Sequence, residues 1–320
     1  MRTRLSRLLG TGPAREAAPA AAGERERVHP QLADLSALSR RAASLPGWQD
    51  RAHARRSGVY HAAMKGRGME YAESRPYQPG DDVRALDWRL TARSGKPHTK
   101  LFREERERPV YVLVDLRRTM AFATRGAFKS VQAARTAALV AWKTVQGGDR
   151  IGAVLLGDAG CDELAPARGT VGALRVLKHL VQRAQPVATP APLPLAAAVE
   201  RLRRLVKPGS IVFVLSDFRD LDEAARAALG QVGRHNETLL VQCYDAFEAA
   251  LPAIREPVAL SDRARRIELT LGDRAIAEAY AQRFASRRAA LQQFARDQRL
   301  RLVTLTTTDD PYVVLQRALS

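Results

Sequence analysis

Cysteine is nearly absent from this chain. Its two thiols, Cys161 and Cys243, stand far apart in 320 residues, which excludes a disulfide framework and the close ligand spacing of a structural zinc site. Long apolar runs are missing too: no stretch approaches the roughly 18 consecutive apolar residues that a membrane-spanning helix needs. Lysine is scarce, seven of the 52 bases, so the net charge of +18 is carried by arginine. That charge is spread along the chain and not gathered in one arm. Aromatic residues make up 6% of the chain, and no ribbon of aromatics interleaved with bases marks a nucleic-acid surface. A field of +18 still favours anions, so a nucleic-acid or anionic-surface binder stands as the alternative function. The N-terminus, "MRTRLSRLLGTGPAREAAPAAAGERER", starts basic like a secretion signal but lacks a continuous apolar core and contains acids. Residues 1–28 read as a disordered basic arm, and the chain as cytoplasmic, without a transmembrane segment.

What is present is rhythm. "HPQLADLSALSRRAASL" places Leu32, Leu35, Leu38 and Leu45 near helical spacing. From Gly47 to Glu107 the pattern is broken and polar. Within it, "PGDDVRALDWRLTARSG" predicts a short helix capped by Asp81, with Val83, Leu86 and Leu90 on one face and Gly95 as its stop. After Pro109, apolar runs such as "VYVLVD", "RIGAVLLG", "SIVFVLSD", "ETLLVQCYD" and "LRLVTLTTTD" alternate with helical segments. A hairpin around "PVAL" and "RRIELTL" precedes a last long helix, capped by Asp273 and burying Ile276, Tyr280, Phe284, Leu291 and Phe294. Strands alternating with helices predict an α/β fold, a mostly parallel sheet covered on both faces. In such sheets, sites lie beyond the carboxyl ends of the strands. Asp115, Asp217, Asp245 and Asp309 each fall just past a predicted strand end.

Three chemistries compete for those acids. The glycine-rich stretches "KGRGMEY" and "SGK" lack the spacing that cradles a phosphate, and the six histidines show no metal-ligand spacing. An aspartate-nucleophile phosphohydrolase would use Asp115 to attack phosphorus, Ser216 to hold the phosphoryl oxygens, and Asp309 with Asp310 for magnesium. It also needs a carboxylic acid two residues after the nucleophile, where this chain has Arg117. A metal-ion-dependent adhesion site of the von Willebrand factor A type would use Asp-x-Ser-x-Ser/Thr, a loop threonine and a later aspartate. Asp115, Thr119 and Asp217 match it. Arg117 replaces the first hydroxyl, Leu193 or Pro194 the loop threonine, with Thr189 a distant substitute, so magnesium is a doubtful cofactor of a degenerate site. The third reading is that the strand-end acids are satisfied by backbone amides or by Arg117.

The segment "GMEYAESRPYQPGDDVRALDWRLTARSGKPHTKLFREERERPVYVLVD" resembles the defining stretch of a bacterial and archaeal family, domain of unknown function fifty-eight. The resemblance rests on Glu70-Tyr71, Arg75 with Tyr77, Gly80-Asp81-Asp82, Arg84, Leu86-Asp87-Trp88, Ala92-Arg93, Lys100-Leu101-Phe102 and Glu105, extended by "GGDRIGAVLLG" and "SIVFVLSDF" over roughly residues 30 to 310. It implies a von Willebrand factor A-like domain over residues 109–320, preceded by a family-specific segment of short helices and irregular structure over 29–108. It further implies a non-catalytic interaction module, an adaptor or assembly factor for a MoxR-type AAA ATPase and an unknown protein client. Arg75, Arg84 and Arg93 among Asp81, Asp82 and Asp87 suit an ion-pair and capping network anchoring that segment to the sheet. At the degenerate site, Arg117 is expected to neutralise both Asp115 and Asp217, with Arg117 and Arg118 open to a partner's carboxylate.

Overall fold

The leucine spacing after His29 produces two short helices where one was expected, Leu32–Ala37 (α1) and Ser39–Ala43 (α2). In the computed structural model, residues 26–47, 69–104, 108–188, 190–251, 257–261, 266–270 and 274–320 are described, with side chains left out at 69–73, 101–104, 257–261 and 266–270. The expected arm therefore lies outside the described residues except for 26–28, which are helical, and so do Thr189, Asp273 and Glu105. Helices α1 and α2 do not stand apart from the α/β body. Leu35, Ala42 and Leu45 are buried in its core, and the Trp142 indole donates to the Leu35 carbonyl at 2.9 Å.

The segment before the sheet continues as an antiparallel pair, Met69–Pro76 (β1) and His98–Glu104 (β2). Between them the expected helix is split. A 3-10 turn at Val83–Ala85 is capped by Asp82, and a helix at Trp88–Ser94 (α3) is capped by Asp87. Asp81 is not the cap, because its carboxylate accepts from the Gln78 amide and from Arg75. Gly80 and Gly95 both take positive φ, where a side chain is strained, and so close the turn and end α3.

The α/β body runs through Val110–Asp115 (β3), Lys129–Gln146 (α4), Ile151–Gly157 (β4), Gly160–Ala167 (β5), Gly169–Arg183 (α5), Leu195–Leu205 (α6) and Ile211–Ser216 (β6). Glu223–His235 (α7), Glu237–Tyr244 (β7), Ala246–Ala249 (α8), the hairpin Pro257–Ser261 (β8) and Arg266–Thr270 (β9), Arg274–Asp297 (α9), Arg301–Thr306 (β10) and Pro311–Leu319 (α10) complete it. The six-stranded sheet has the order β10-β7-β6-β3-β4-β5 and is parallel except for the edge strand β5. Every residue of β3, β4 and β6 is buried, as continuous apolar runs require in strands covered on both faces.

Alternation along the strands sorts the core into two layers. Val110, Val112 and Val114 face α4, α5 and α10, while Tyr111 and Leu113 face α6, α7 and α9. The chain leaves β3 toward β4 and later returns to its other side as β6, so the order reverses between β3 and β6. That is the switch point at which open α/β sheets place their sites. This α/β architecture, a mostly parallel sheet covered on both faces, is the expected one. The last long helix departs from expectation at its start: Leu291 and Phe294 are buried, but Ile276 is 42% exposed.

Candidate functional site

Asp115 and Ser216 end the two strands at the switch point. They continue the register that pairs Val114 with Leu215. Both project toward the same face, and the Ser216 hydroxyl donates to Asp115 Oδ2 at 2.8 Å. The chain then turns so that the Arg117 amide donates to Asp115 Oδ1 at 3.1 Å, a local turn that lays the guanidinium over the carboxylate. Arg117 Nε and Nη2 bond the two oxygens at 2.9 and 2.7 Å. Its remaining donors reach Asp220 at 2.6 and 2.9 Å and the Leu193 carbonyl at 3.2 Å. All five N–H groups of the planar fork thus have acceptors, and all four acceptor positions of Asp115 are filled.

Asp220 is one of the residues that sequence reasoning missed. Ser216 Oγ accepts from the Phe218 amide at 3.0 Å, and Phe218 takes φ of 51°, left-handed backbone that costs a bulky residue about 1–2 kcal/mol. The strained turn brings Asp220 under Arg117, where it also accepts from the Leu195 amide at 3.1 Å, at the start of α6. Arg117 therefore ties three loops together: the one after β3, the one before α6 and the one after β6. Burial disfavours its charge, but the bonds to Asp115 and Asp220 outweigh this and hold its pKa above the ordinary value. Burial likewise pushes the Asp115 carboxyl up, with Arg117 and Ser216 pulling it back. Asp220, burial notwithstanding, is held below the usual carboxylate range by Arg117 and the Leu195 amide.

Asp217 does not share this lock. One residue beyond Ser216, it turns to the face covered by α4 and meets Lys129, whose Nζ donates to Asp217 at 3.1 Å and to Glu248 at 2.7 Å. Arg219 bridges the same two acids, donating to Glu248 at 2.7 Å and lying 3.7 Å from Asp217. Lys129 has no exposed side-chain surface. It starts α4, and in the preceding loop Gly126, at φ of 77°, packs so close to the Thr307 carbonyl that a Cβ would collide. Neutralisation of both aspartates by Arg117 is thus replaced by separate cations, Arg117 for Asp115 and Lys129 with Arg219 for Asp217. The signal for Lys129 was available, a base in register with Ala133, Ala137 and Val140 on a buried helix. It reads as a solvated first turn until the strand-end acids are placed beside it.

The remaining sequence candidates fall in separate places. Thr119 sits exposed on the 3-10 turn Arg118–Met120, and Arg118 is exposed with its amide donating to Asp158 at 3.0 Å. Arg117, expected to be open to a partner, is instead buried. Asp245 caps α8 and accepts from Thr124 and Thr307. Asp309 accepts from the Thr306 amide, and Asp310 caps α10 and pairs with Arg41. The residues as arranged do not fit a hard cation, since the Asp115 oxygens are taken by Arg117 and Ser216, and a backbone carbonyl stands where a loop hydroxyl was needed. Nor is Asp115 disposed as a nucleophile, for the same reason.

The 69–104 segment has its own network. Arg75 pairs with Asp81 at 2.7 Å, Thr99 donates to Asp81, and the Ser74 hydroxyl donates to Asp87 at 2.8 Å. These bonds close within residues 74–99, so the network braces the segment itself, and the expected anchor to the sheet is not among them. Arg84 and Arg93 are exposed, Tyr77 is half-buried, and Trp88 is 68% exposed.

The family model "Protein of unknown function DUF58" matches residues 73–290. The uncharacterized proteins Rv1480 of Mycobacterium tuberculosis and Mb1516 of Mycobacterium bovis are each 29% identical over 261 residues, 79% of this chain and 80% of theirs. Among solved structures, an aerotolerance-related membrane protein from Bacteroides fragilis is 16% identical, with a TM-score of 0.42, over 66% of this chain and 96% of that one. A von Willebrand factor type A protein from Catenulispora acidiphila is 11% identical, with a TM-score of 0.35, over 69% of this chain and 44% of that one.

Proposed function

The chain belongs to the DUF58 family, and from that premise we propose a non-catalytic protein-interaction module that works in the cytoplasm with a MoxR-type AAA ATPase. The ATPase supplies hydrolysis and this chain supplies recognition. The observation that carries the reading is Arg117, whose five donors are all bound to acceptors of its own chain at the place where an adhesion site holds its metal. A guanidinium cannot dissociate as a metal can, so the switch point is a permanently neutralised clamp on three loops. Its role is to fix the shape of the sheet's carboxyl end. Among the described residues no helix is long and apolar enough to cross a membrane, and both cysteines are free, in keeping with a reducing setting.

The test is direct. The full chain, mixed with the MoxR-type ATPase of the same genome, should form a complex that survives gel filtration in the presence of a chelator. A complex that falls apart on chelation and returns with magnesium, or no complex at all, overturns the proposal.

A further inference from the structure

A narrow cleft opens beside the Lys129 lock, between the carboxyl end of β7 and helix α9. Its chemistry is divided. Phe284 and Leu291 from α9, with the Tyr244 ring 5.4 Å from that of Phe284, make one wall apolar. Arg219 and Arg287 line it as cations. Arg287 is exposed and forms no ion pair among the described residues, and Arg219 keeps its Nη1 unbonded among them while Nη2 holds Glu248. Asp217 and Glu248 also line the cleft, but Lys129 and Arg219 already neutralise them, so Arg287 leaves one positive charge in surplus.

The informative residue is Gln242. It projects to the face of Leu240, toward α9, and is 5% exposed. Gln242 lines the cleft, and its buried Oε1 accepts no hydrogen bond among the described residues. A buried carbonyl oxygen without a donor costs about 1–3 kcal/mol, so this position calls for an N–H or O–H from outside the fold. The cleft thus asks for three things at once: an anion for Arg219 and Arg287, a hydrogen-bond donor for Gln242, and an apolar group for Phe284 and Leu291.

We propose that this cleft binds the free C-terminus of a peptide ending in an apolar residue. Such a terminus carries an α-carboxylate, a backbone N–H and an apolar side chain on adjoining atoms, and carboxylate capture is a recurring mode of peptide recognition. The proposal rests on the reading of the chain as an interaction module and gives that module a site for its client. It names a place away from the Arg117 clamp, which has no donors left to offer.

The experiment uses the full chain and a peptide, fluorescein-Gly-Ser-Gly-Leu, followed by fluorescence anisotropy. The free acid should bind saturably. Its C-terminal amide, and the acid methylated at the leucine nitrogen, should each bind more weakly by about tenfold or more, the cost of one charged or buried hydrogen bond. Arg287→Glu, at an exposed position, should weaken the acid by a similar factor and leave the melting temperature unchanged. Equal affinities for acid and amide, or no saturable binding, overturn the proposal. So does a crystal structure with an ordered water on Gln242 and the peptide seated elsewhere. An ATPase complex that forms normally while the peptide fails to bind would sink this site and leave the module standing.

Discussion

Two cations stand at the carboxyl end of one sheet and hold their acids by different means. Arg117 works through geometry: a planar fork with five acceptors, nearly closed to solvent, whose partner Asp220 is nevertheless 40% exposed at its side chain. Lys129 works through burial: a point charge with no exposed surface, between two acids that are themselves almost covered, with Arg219 as the half-exposed second cation. The contrast separates fixing a shape from tolerating a charge. The Arg117 lock is complete and joins three loops, whereas the Lys129 lock borders a cleft whose Gln242 oxygen accepts nothing among the described residues.

The largest effect should come from Lys129→Met. It leaves Asp217 and Glu248 buried with only Arg219 between them, and removing one partner of a buried pair costs about 3–5 kcal/mol. Thermal unfolding should show a stability loss near the top of that range, and an unchanged melting temperature would mean that Arg219 alone suffices. Arg117→Ser should cost less, about 3 kcal/mol, because Asp115 can escape by taking a proton. In that variant the Asp115 pKa rises further above its unfolded value, so the penalty is present at high pH and is relieved as pH falls through the raised pKa. A penalty that grew on acidification would show that Asp115 is not the group left uncompensated.

Asp220→Asn should be milder, about 1 kcal/mol after allowance for its partial exposure, since Asp115 still neutralises Arg117. A loss equal to that of Arg117→Ser would make Asp220 the principal partner. The smallest effect concerns pH. Asp220 and Asp245 have folded pKa values below their ordinary 3.8, so their stabilisation is present above about pH 4 and is lost as pH falls through the lowered values. Acid denaturation should accordingly begin below pH 4 and flatten in Asp220→Asn, with Asp115, shifted the other way, opposing the trend. Stability lost first between pH 5 and 7 would contradict the signs.

Most of the architecture was legible because local pattern and burial agree. Continuous runs such as "SIVFVLSD" fit strands covered on both faces, and β6 is buried along its whole length. The split at Asp82 and Asp87 was not legible, since Asp81, Asp82 and Asp87 are equally good caps until the Arg75 pairing claims Asp81. Nor was the exposure of Ile276, which depends on how far α9 extends past the sheet. At the site, Asp115, Arg117 and Asp217 were readable as strand-end residues, but their pairings were not. Which cation meets which acid depends on strand alternation and on the Phe218 turn, both three-dimensional facts. Glu248 and Asp220 lie 31 and 3 residues from Asp217, and spacing of that kind points to no common site.

Calorimetric titration of the wild-type chain with magnesium or manganese, set beside Arg117→Ser, tests the clamp most directly. The wild type should show no micromolar binding, and Arg117→Ser, which frees the Asp115 oxygens and restores a hydroxyl, should show measurable uptake. Micromolar binding by the wild type that is lost on Asp115→Asn would contradict the clamp.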